Sequence, residues 1–453
     1  MSSWRAYTRA MKTFAFALSA SLLAASCVAQ IPTATLQSDA AAQMPALEKT
    51  YLMLHQAPEL SRQEEKTSAF VASQLRSLGY QVTDHIGKYE DGKQAFGVVG
   101  VLKNGAGPTV LIRTDMDALP VTEETGVAYA SKVRAKNAQG EDVGVMQACG
   151  HDIHMSAFIG IATELAKHKD AWHGTVLMLG QPAEEVIQGA KAMMADGLYT
   201  RFPRPDYVLG MHDFGNIAAG TVAISAGPMM ASADSITVVF HGVGAHGSQP
   251  QNSKDPIFMG AEFVTLLQGV VSRQISPQSP GVITVGTFHA GTKNNIIPAE
   301  AMLGLTVRSY EEATRQKLVQ GITNTANAIA VAYGLPADKM PTIKTVETTT
   351  PTVNDDALTE RVRKVAIATL GADKVQPQQA VMGSEDVGYL TDGYKIPMTF
   401  FRLGAGDPAK VAEAQKTGVA LPDIHSPLYA PDYKPAIETG VVTMTAVAVS
   451  LLQ

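Results

Sequence analysis

The sequence of 453 residues predicts an α/β protein in which a small domain is inserted into a larger one. From about residue 40 to 227, short apolar segments rich in β-branched residues alternate with segments of helical periodicity, which is typical of a sheet covered on both faces. From residue 228 to 348 the order of segments changes to β-α-β-β-α-β, the pattern of a ferredoxin-like unit. The larger domain is therefore predicted to comprise residues 30–227 and 349–453.

The elements of the first part follow from apolar patterning. Strands are predicted at "FGVVGVL", "PTVLIRTDM", "GTVLMLGQP" and "DYVLGMHD", and helices at "TSAFVASQLRSLGY" and "MSAFIGIATELAKH". The inserted part is predicted to contain the strands "SITVVFHG", "GVITVGTFHAG", "AMLGLTVRSY" and "TIKTVET", with two long amphipathic helices between them. The larger domain then resumes with the helix "ALTERVRKVAIATLG", the strand "PMTFFRLG" and a final apolar helix.

Residues 1–29 are predicted to be a signal peptide. Arg5, Arg9 and Lys12 precede the apolar run "FAFALSASLLAAS", which is too short to span a bilayer, and small residues follow it. We therefore expect an exported protein, periplasmic or secreted. A lipoprotein anchored at Cys27 is the less favoured alternative, because Ala24 stands where lipoprotein signals favour leucine.

The composition is that of a globular protein with no nucleic-acid partner. The formal net charge is −6, and a basic patch is the usual signature of proteins that bind nucleic acid or anionic membranes. The chain has two cysteines, and Cys27 lies in or beside the segment expected to be removed. Cys149 then lacks a partner for a disulfide, so it is either a buried structural thiol or a metal ligand.

Polar side chains gather where predicted strands end, the place where ligand sites form in open α/β sheets. Such groups follow three predicted strands: Asp115 and Asp117 follow the first, Glu184 and Glu185 the second, and His212 the third. A fourth cluster, Cys149 and His151, precedes a predicted helix. Each alone has a simpler explanation, as a turn residue, a helix cap, a solvated loop or a core histidine. Together they suit zinc, manganese or a similar divalent ion, and two ions if a thiolate or carboxylate bridges them.

The two adjacent glutamates, Glu184 and Glu185, are expected to have different roles. In an extended segment, neighbouring side chains point to opposite sides, so one glutamate is expected to bind metal while the other faces the attacking water as general base. Such a constellation fits hydrolysis of an amide or related acyl bond.

At this point the sequence resembles the two-metal aminoacylase and exopeptidase superfamily, in its branch of hippurate hydrolases, N-acyl-amino-acid amidohydrolases and auxin-conjugate hydrolases. Eight segments carry the resemblance, in this order: "RTDMDALPVTEET", "ACGHDIHMSAF", "GQPAEE", "GMHDF", "GVGAHGSQP", "NNIIPAEAMLGLTVR", "MGSEDVGYL" and "IHSPLY". The resemblance implies an exopeptidase-like catalytic domain that binds two divalent ions, zinc or manganese, and an inserted lid domain that also forms a homodimer in many relatives.

The resemblance also implies roles for individual residues. The metal ligands are expected to be Cys149, His151, Glu185, His212 and His425, with Cys149 as the bridge. Glu184 is expected to be the general base, and Asp117 to support a ligand histidine from behind. His246 and Asn295 of the lid are expected to close over the substrate and stabilise an oxyanion or hold a carboxylate. The roles of Asp115, His154 and Arg308 stay open.

The function predicted from these features is hydrolysis of N-acyl amino acids or similar small conjugates. One alternative is a di- or carboxypeptidase on the same scaffold, which substrate profiling would separate. A second, from a different class, is a non-catalytic exported binding module, which the presence of Glu184 beside five candidate ligands argues against.

Overall fold

The computed structural model describes residues 31–453, so the predicted signal peptide and Cys27 lie outside the described residues. The elements that precede the inserted sheet are, in chain order, α1 (Thr33–Gln56), α2 (Glu65–Ser77), β1 (Gln81–Lys88), β2 (Gln94–Asn104), β3 (Thr109–Asp115), β4 (Arg134–Lys136), β5 (Asp142–Gly144), α3 (His151–Lys167), β6 (Gly174–Gln181), α4 (Gly189–Ala195), α5 (Leu198–Arg201), β7 (Tyr207–Ala218), β8 (Val222–Ala223) and β9 (Gly227–Met230).

The inserted part and the C-terminal part complete the chain. The inserted part contains β10 (Ser232–His241), β11 (Ala245–His246), α6 (Pro256–Arg273), β12 (Gly281–Ala290), β13 (Ile296–Ile297), β14 (Glu300–Ser309), α7 (Glu312–Ala332) and β15 (Thr342–Thr349). The C-terminal part contains β16 (Thr352–Asn354), α8 (Asp356–Leu370), β17 (Val375–Gln376), β18 (Met398–Gly406), α9 (Pro408–Thr417) and α10 (Tyr433–Leu451).

The larger sheet has eight strands in the order β1-β2-β6-β3-β7-β18-β8-β17. Its four central strands, β6, β3, β7 and β18, run parallel to one another. Apolar side chains from both faces of the sheet enter separate cores, one beneath α1, α2, α3, α8 and α10 and the other beneath α4 and α5. The prediction of an α/β sheet covered on both faces is therefore confirmed. The central strands are almost continuously apolar because their side chains are buried on both faces of the sheet.

The inserted sheet has four antiparallel strands in the order β12-β14-β10-β15, with α6 and α7 packed on one face. Its chain order of strands and helices is the predicted β-α-β-β-α-β. Asp255 caps α6 by accepting from the backbone N–H groups of Ile257 and Phe258, and Pro256 follows at the first helical position. We call residues 232–349 the lid.

The two chain segments that connect the lid to the larger sheet lie side by side. β9 enters the lid, β16 leaves it, and the two pair antiparallel between Gly227 and Asn354. The side-chain amide of Asn354 donates to the carbonyl oxygens of Ser225 and Phe400, at 2.9 Å each. This paired connection anchors the lid to β18, the strand beside β7. Within residues 31–453, no helix has both the length and the apolar character needed to cross a membrane.

Candidate metal centre

The five side chains predicted to bind metal lie together at the carboxyl edge of the parallel strands. Cys149 Sγ lies 3.3 Å from Nε2 of His212 and 3.3 Å from Nε2 of His425. Glu185 Oε2 lies 3.5 Å from Nε2 of His425, and Glu185 Oε1 lies 3.8 Å from Nε2 of His151. Cys149 belongs to two groups of candidate ligands, one with His151 and His212 and one with Glu185 and His425. The thiol thus occupies the position shared by two potential ion sites.

Gly150 allows Cys149 and His151 to approach this centre from adjoining positions. Its φ is +77°, in the left-handed region, and it stands immediately before the first residue of α3. A Cβ atom at this position would lie 2.1 Å from Oδ1 of Asp213. The backbone can therefore turn against the Asp213 carboxylate only because residue 150 is glycine.

Backbone carbonyl groups fix the tautomers of two ligand histidines. His151 Nδ1 donates to the carbonyl oxygen of Asp117, and His212 Nδ1 donates to that of Asp213, at 2.8 Å in each case. Each ring can then offer Nε2 to a metal ion. Burial opposes protonation of His151, but Asp115 raises its pKa to about 10, so a metal ion would have to displace the proton on this ring. Nε2 of His151 and Oε1 of Glu185 are buried and have no hydrogen-bond partner in the described chain. Orphaned donors of this kind are the arrangement expected of metal ligands.

Glu184 and Glu185 lie in a turn after β6, and this corrects the prediction that they point to opposite sides. Ala183 and Ile187 have φ values of +50° and +57°, and the N–H of Ile187 donates to the carbonyl of Glu184 at 2.7 Å. The turn directs both carboxylates toward one histidine: Glu184 Oε2 also lies 3.8 Å from Nε2 of His151. The extended geometry that would separate the side chains is therefore absent here.

Asp117 links the turn to His151 from behind. Its Oδ2 accepts from Ser61 Oγ at 2.6 Å and from the backbone N–H of Glu185 at 3.0 Å. Its Oδ1 lies 3.5 Å from Nδ1 of His151. The position is the one expected of a residue that orients two ligands without binding an ion.

The charges at the centre favour a cation. Burial, with the charge of Glu185, raises the pKa of the Cys149 thiol well above its usual value. Burial also raises the pKa of Glu184, with Glu385 as the next cause, and that of Glu185 to about 7. Burial and the neighbouring His154 lower the pKa of His212 to about 3, which keeps its ring neutral. A neutral imidazole and buried acids that repel one another form a set that divalent ions would stabilise.

The structure places His425 at the open side of the centre. Its side chain is 56% exposed, whereas that of Glu185 is 6% exposed. Its backbone N–H donates to the carbonyl of Ala148 at 2.7 Å, and its φ is +69°. A loop far along the chain is thus held against Cys149, and water can reach the centre from this side.

Asp115 and His154, whose roles were open, belong to a buried network under the centre. His154 Nδ1 lies 2.6 Å from Oδ1 of Asp115, and its Nε2 lies 2.8 Å from Oδ1 of Asp213. Tyr429 donates its hydroxyl to Oδ2 of Asp213. Burial opposes protonation of His154, but Asp115 and Asp213 raise its pKa to about 9. His154 is therefore a bridge between two carboxylates rather than a simple helix-face residue.

The sequence interpretation missed the cation that balances this network. The Arg113 guanidinium is fully buried and donates to Asp115 Oδ2 at 2.7 Å, Glu385 Oε1 at 2.8 Å and Gln181 Oε1 at 3.0 Å. Asp386 Oδ1 lies 3.5 Å away. An arginine inside the apolar strand "TVLIRTD" was the available signal, because a buried charge requires partners. Asp386 also holds the N-cap position of the 3₁₀ helix Val387–Thr391.

The three lid residues lie apart from these donors. His246 and Asn295 are neighbours: β11 pairs with β13, and the N–H of Gly247 donates to the carbonyl of Asn295 at 2.8 Å. No hydrogen bond or ion pair recorded for residues 31–453 joins either side chain to the centre. Arg308 donates to Ser384 Oγ at 3.0 Å and to Thr306 Oγ1 at 3.1 Å. It forms no salt bridge to a carboxylate within the described part.

Comparisons with known proteins agree with this architecture. The model of "Peptidase family M20/M25/M40" matches residues 111–425. The chain is 36% identical over 361 residues to thermostable carboxypeptidase 1 of Saccharolobus solfataricus, covering 79% of this chain and 85% of that protein. It is 35% identical over 355 residues to hippurate hydrolase of Campylobacter jejuni, covering 78% and 87%. The chain belongs to peptidase family M20/M25/M40.

A solved structure of another M20 member supports the metal-binding character of the fold. It is a dinuclear metal-binding peptidase of Bacillus subtilis, with a TM-score of 0.72, 27% identity, and coverage of 91% of this chain and 99% of that one. The resemblance seen in the sequence is therefore confirmed, as is the lid-bearing fold. This M20 protein is a metal-binding hydrolase that acts on amide bonds.

Proposed function

We propose that this M20 hydrolase cleaves N-acyl amino acids or similar small conjugates, using two divalent ions held by Cys149, His151, Glu185, His212 and His425. The observation that carries the proposal is the convergence of these five donors around one shared thiol, with a sixth group, the Glu184 carboxylate, beside them. The hippurate hydrolase of Campylobacter jejuni, a relative of this chain, supplies the substrate class.

Ions bound by such donors would polarise the acyl carbonyl and lower the pKa of water. Glu184 accepts a proton from the attacking water, whose oxygen bonds to the acyl carbon. The same carboxyl group then delivers that proton to the amide nitrogen as the carbon–nitrogen bond breaks, releasing a carboxylic acid and a free amino acid. Asp117 holds His151 and the Glu185 turn in place, since it contacts both.

Zinc and manganese are the ions that this donor set suits best. A thiolate and three imidazoles favour zinc, whereas the carboxylate also accommodates manganese. Occupancy in the cell depends on supply as well as affinity, so the proposal covers both ions.

The lid is proposed to deliver His246 and Asn295 to the substrate. His246 is exposed, and its Nδ1 lies 2.8 Å from Ser248 Oγ, which leaves Nε2 free for another partner. Closure would exclude water and place these polar groups near the developing oxyanion or the substrate carboxylate.

The lid is also proposed to form a homodimer. β12 is an edge strand of the four-stranded sheet. Phe288 on this strand is 39% exposed, and Phe258 and Leu266 on the adjacent α6 are each 55% exposed. A second copy of the chain that paired along β12 would cover these apolar side chains and satisfy the open strand edge.

A carboxypeptidase is the second candidate, favoured by the 36% identity to thermostable carboxypeptidase 1. Both candidates require the same metal centre. They differ in the acyl side of the scissile amide, which is a simple acyl group in an N-acyl amino acid and an amino-acid residue in a peptide. Export to the periplasm or medium is proposed from residues 1–29, on the basis of their charge and apolar pattern.

The deciding experiment measures hydrolysis by protein loaded with zinc or manganese. N-acetyl and N-benzoyl amino acids are compared with dipeptides and N-blocked dipeptides, and amino acid release is followed. Turnover of the simple N-acyl amino acids supports the proposal. Turnover of peptides alone favours the carboxypeptidase, and no hydrolysis of any of them after loading would refute both.

A further inference from the structure

Arg402 stands beside a ligand histidine on the neighbouring strand. In the parallel pair of β7 and β18, Arg402 is the direct partner of His212. Val208 lies four residues before His212 on β7, and Phe400 lies two residues before Arg402 on β18. Both pack in the same core, on one face of the sheet. Because side chains alternate along a strand, Arg402 and His212 leave the same face of the sheet.

An aromatic ring connects the two side chains. Arg402 Cζ lies 4.6 Å from the centroid of the Phe214 ring, and that centroid lies 5.3 Å from the centroid of the His212 ring. The three side chains form a continuous row at the end of β7 and β18. The guanidinium therefore belongs to the wall of the metal centre.

The Arg402 guanidinium stacks on Phe214 but donates no hydrogen bond to any of the described residues. The residue is 8% exposed, and its Nε and Nη2 atoms are buried with no hydrogen-bond partner among residues 31–453. Burial lowers the pKa of Arg402, and the charge of Asp423 only partly opposes this effect. Arg113 provides the contrast, because it is also buried but donates to several acceptors. An unpaired buried cation is costly and is expected where a ligand supplies the missing anion.

We propose that Arg402 binds a carboxylate of the substrate while the scissile amide lies at the metal centre. Nε and Nη2 are the two nitrogens on one side of the guanidinium, and their parallel N–H groups match the two oxygens of a carboxylate. The carboxylate is either that of the amino-acid half or one carried by the acyl half. This assignment rests on the proposed function, since it takes an acylated amino acid as the substrate.

The test compares three substrates that differ in where they carry a negative charge. N-benzoylglycine has its carboxylate on the amino-acid half, N-succinylglycinol has it on the acyl half, and N-benzoylglycinol has none. Metal-loaded wild-type protein is compared with Arg402→Met and Arg402→Lys. Arg363→Met is the matched control, because Arg363 is a partly exposed arginine that already has a carboxylate partner, Glu360.

We expect Arg402→Met to lower kcat/KM about 10- to 100-fold for the substrate whose carboxylate it binds, mainly through KM. Hydrolysis of N-benzoylglycinol should stay near its wild-type rate, and Arg402→Lys should recover part of the loss. The melting temperature of Arg402→Met should change little, because Arg402 donates no hydrogen bond within residues 31–453 and methionine can still pack on the Phe214 ring. The metal content should also stay unchanged.

Binding is measured separately from hydrolysis, by calorimetric titration of the same three compounds into metal-loaded Glu184→Gln with and without Arg402→Met. A loss confined to N-benzoylglycine or to N-succinylglycinol supports the proposal and assigns the carboxylate. A loss on both carboxylate compounds but not on N-benzoylglycinol also supports it, whereas equal losses on all three compounds or no loss on any would overturn it. If the wild-type protein hydrolyses none of them, the proposed function fails, and the calorimetric difference still decides the role of Arg402.

Discussion

Cys149 Sγ lies 3.3 Å from Nε2 of His425, a residue 276 positions further along the chain. His212 Nε2 lies at the same distance from the sulfur on the other side. A thiolate that contacts two ligand histidines in this way can bind two ions at once.

Replacing Cys149 with alanine should lower the number of bound metal ions per chain. The substitution removes the one donor common to both groups of ligands, so affinity at both positions should fall. Metal content after dialysis is measured by mass spectrometry, with His85→Gln as the control, because the His85 side chain on β1 is 55% exposed. If Cys149→Ala binds as many metal ions per chain as the wild type, the thiol is structural and is not a metal ligand.

Replacing Glu184 with glutamine should leave the metal content and fold intact and reduce kcat by about 10²- to 10⁴-fold. The amide has nearly the same shape as the carboxylate but cannot accept the proton of the attacking water. Steady-state hydrolysis and metal content are measured together, and exposed Glu65→Gln is the control. Near-normal turnover by Glu184→Gln would contradict its assignment as general base.

Replacing Arg113 with methionine should destabilise the protein by about 3–5 kcal/mol, because it leaves buried carboxylates without their cation. Arg134→Met is the matched control: its ion pair with Asp142 is about half exposed and should contribute less than about 1 kcal/mol. Denaturant unfolding measures both changes. A similar loss for the two variants would mean that the buried network contributes little.

Stability should depend on pH through His55. Burial opposes its charge, but Asp152 at 2.7 Å and Glu123 at 3.2 Å raise its pKa from 6.5 to about 9. The stabilisation is therefore fully present below pH 6.5 and is lost as the pH rises through about 9. Its full size is at most about 3 kcal/mol.

The measurement compares unfolding free energies of the wild type and His55→Gln from pH 6 to pH 10. The difference between them should shrink as the pH rises. His85→Gln replaces a histidine whose side chain is 55% exposed and should show no such trend. A constant difference between wild type and His55→Gln would show that His55 is not charged in the folded protein.

The proposed dimer should depend on apolar side chains of the lid. Changing Phe258 and Phe288 to lysine should convert the dimer to a monomer, because a charge would have to be buried against the second copy. Analytical ultracentrifugation gives the mass, and Val419→Lys, a change at an exposed residue outside the lid, is the control. A wild-type protein that is monomeric at micromolar concentration would exclude the proposed interface.

Much of the fold could be predicted from the sequence, because apolar runs and their order determine the layers. The segments of β3, β6 and β7 are apolar because each strand is buried on both faces. Asp117 and Glu185 follow the ends of β3 and β6, whereas His212 lies within β7, which continues to Ala218, beyond the predicted strand end. Parallel strands bring such ends to one edge, so the convergence of these residues needed no distance information.

The network beneath the centre could not be predicted in the same way. The ion pair of Arg113 with Glu385 joins residues 272 positions apart, and no local pattern marks Glu385 as its partner. The turn at Glu184 depends on positive φ values at Ala183 and Ile187, and neither residue type signals them. What the sequence left undetermined was thus the pairing of charges and the direction of side chains, which depend on tertiary contacts.

The position of β18 after the lid determines when the catalytic edge is completed during synthesis. β7 emerges from the ribosome with one side open, and the strand that closes it follows only after the whole inserted domain has been made. The nascent chain must therefore keep an unpaired apolar strand shielded while more than a hundred residues fold beside it. Catalytic competence can therefore arise only after β18 has been synthesised and has paired with β7.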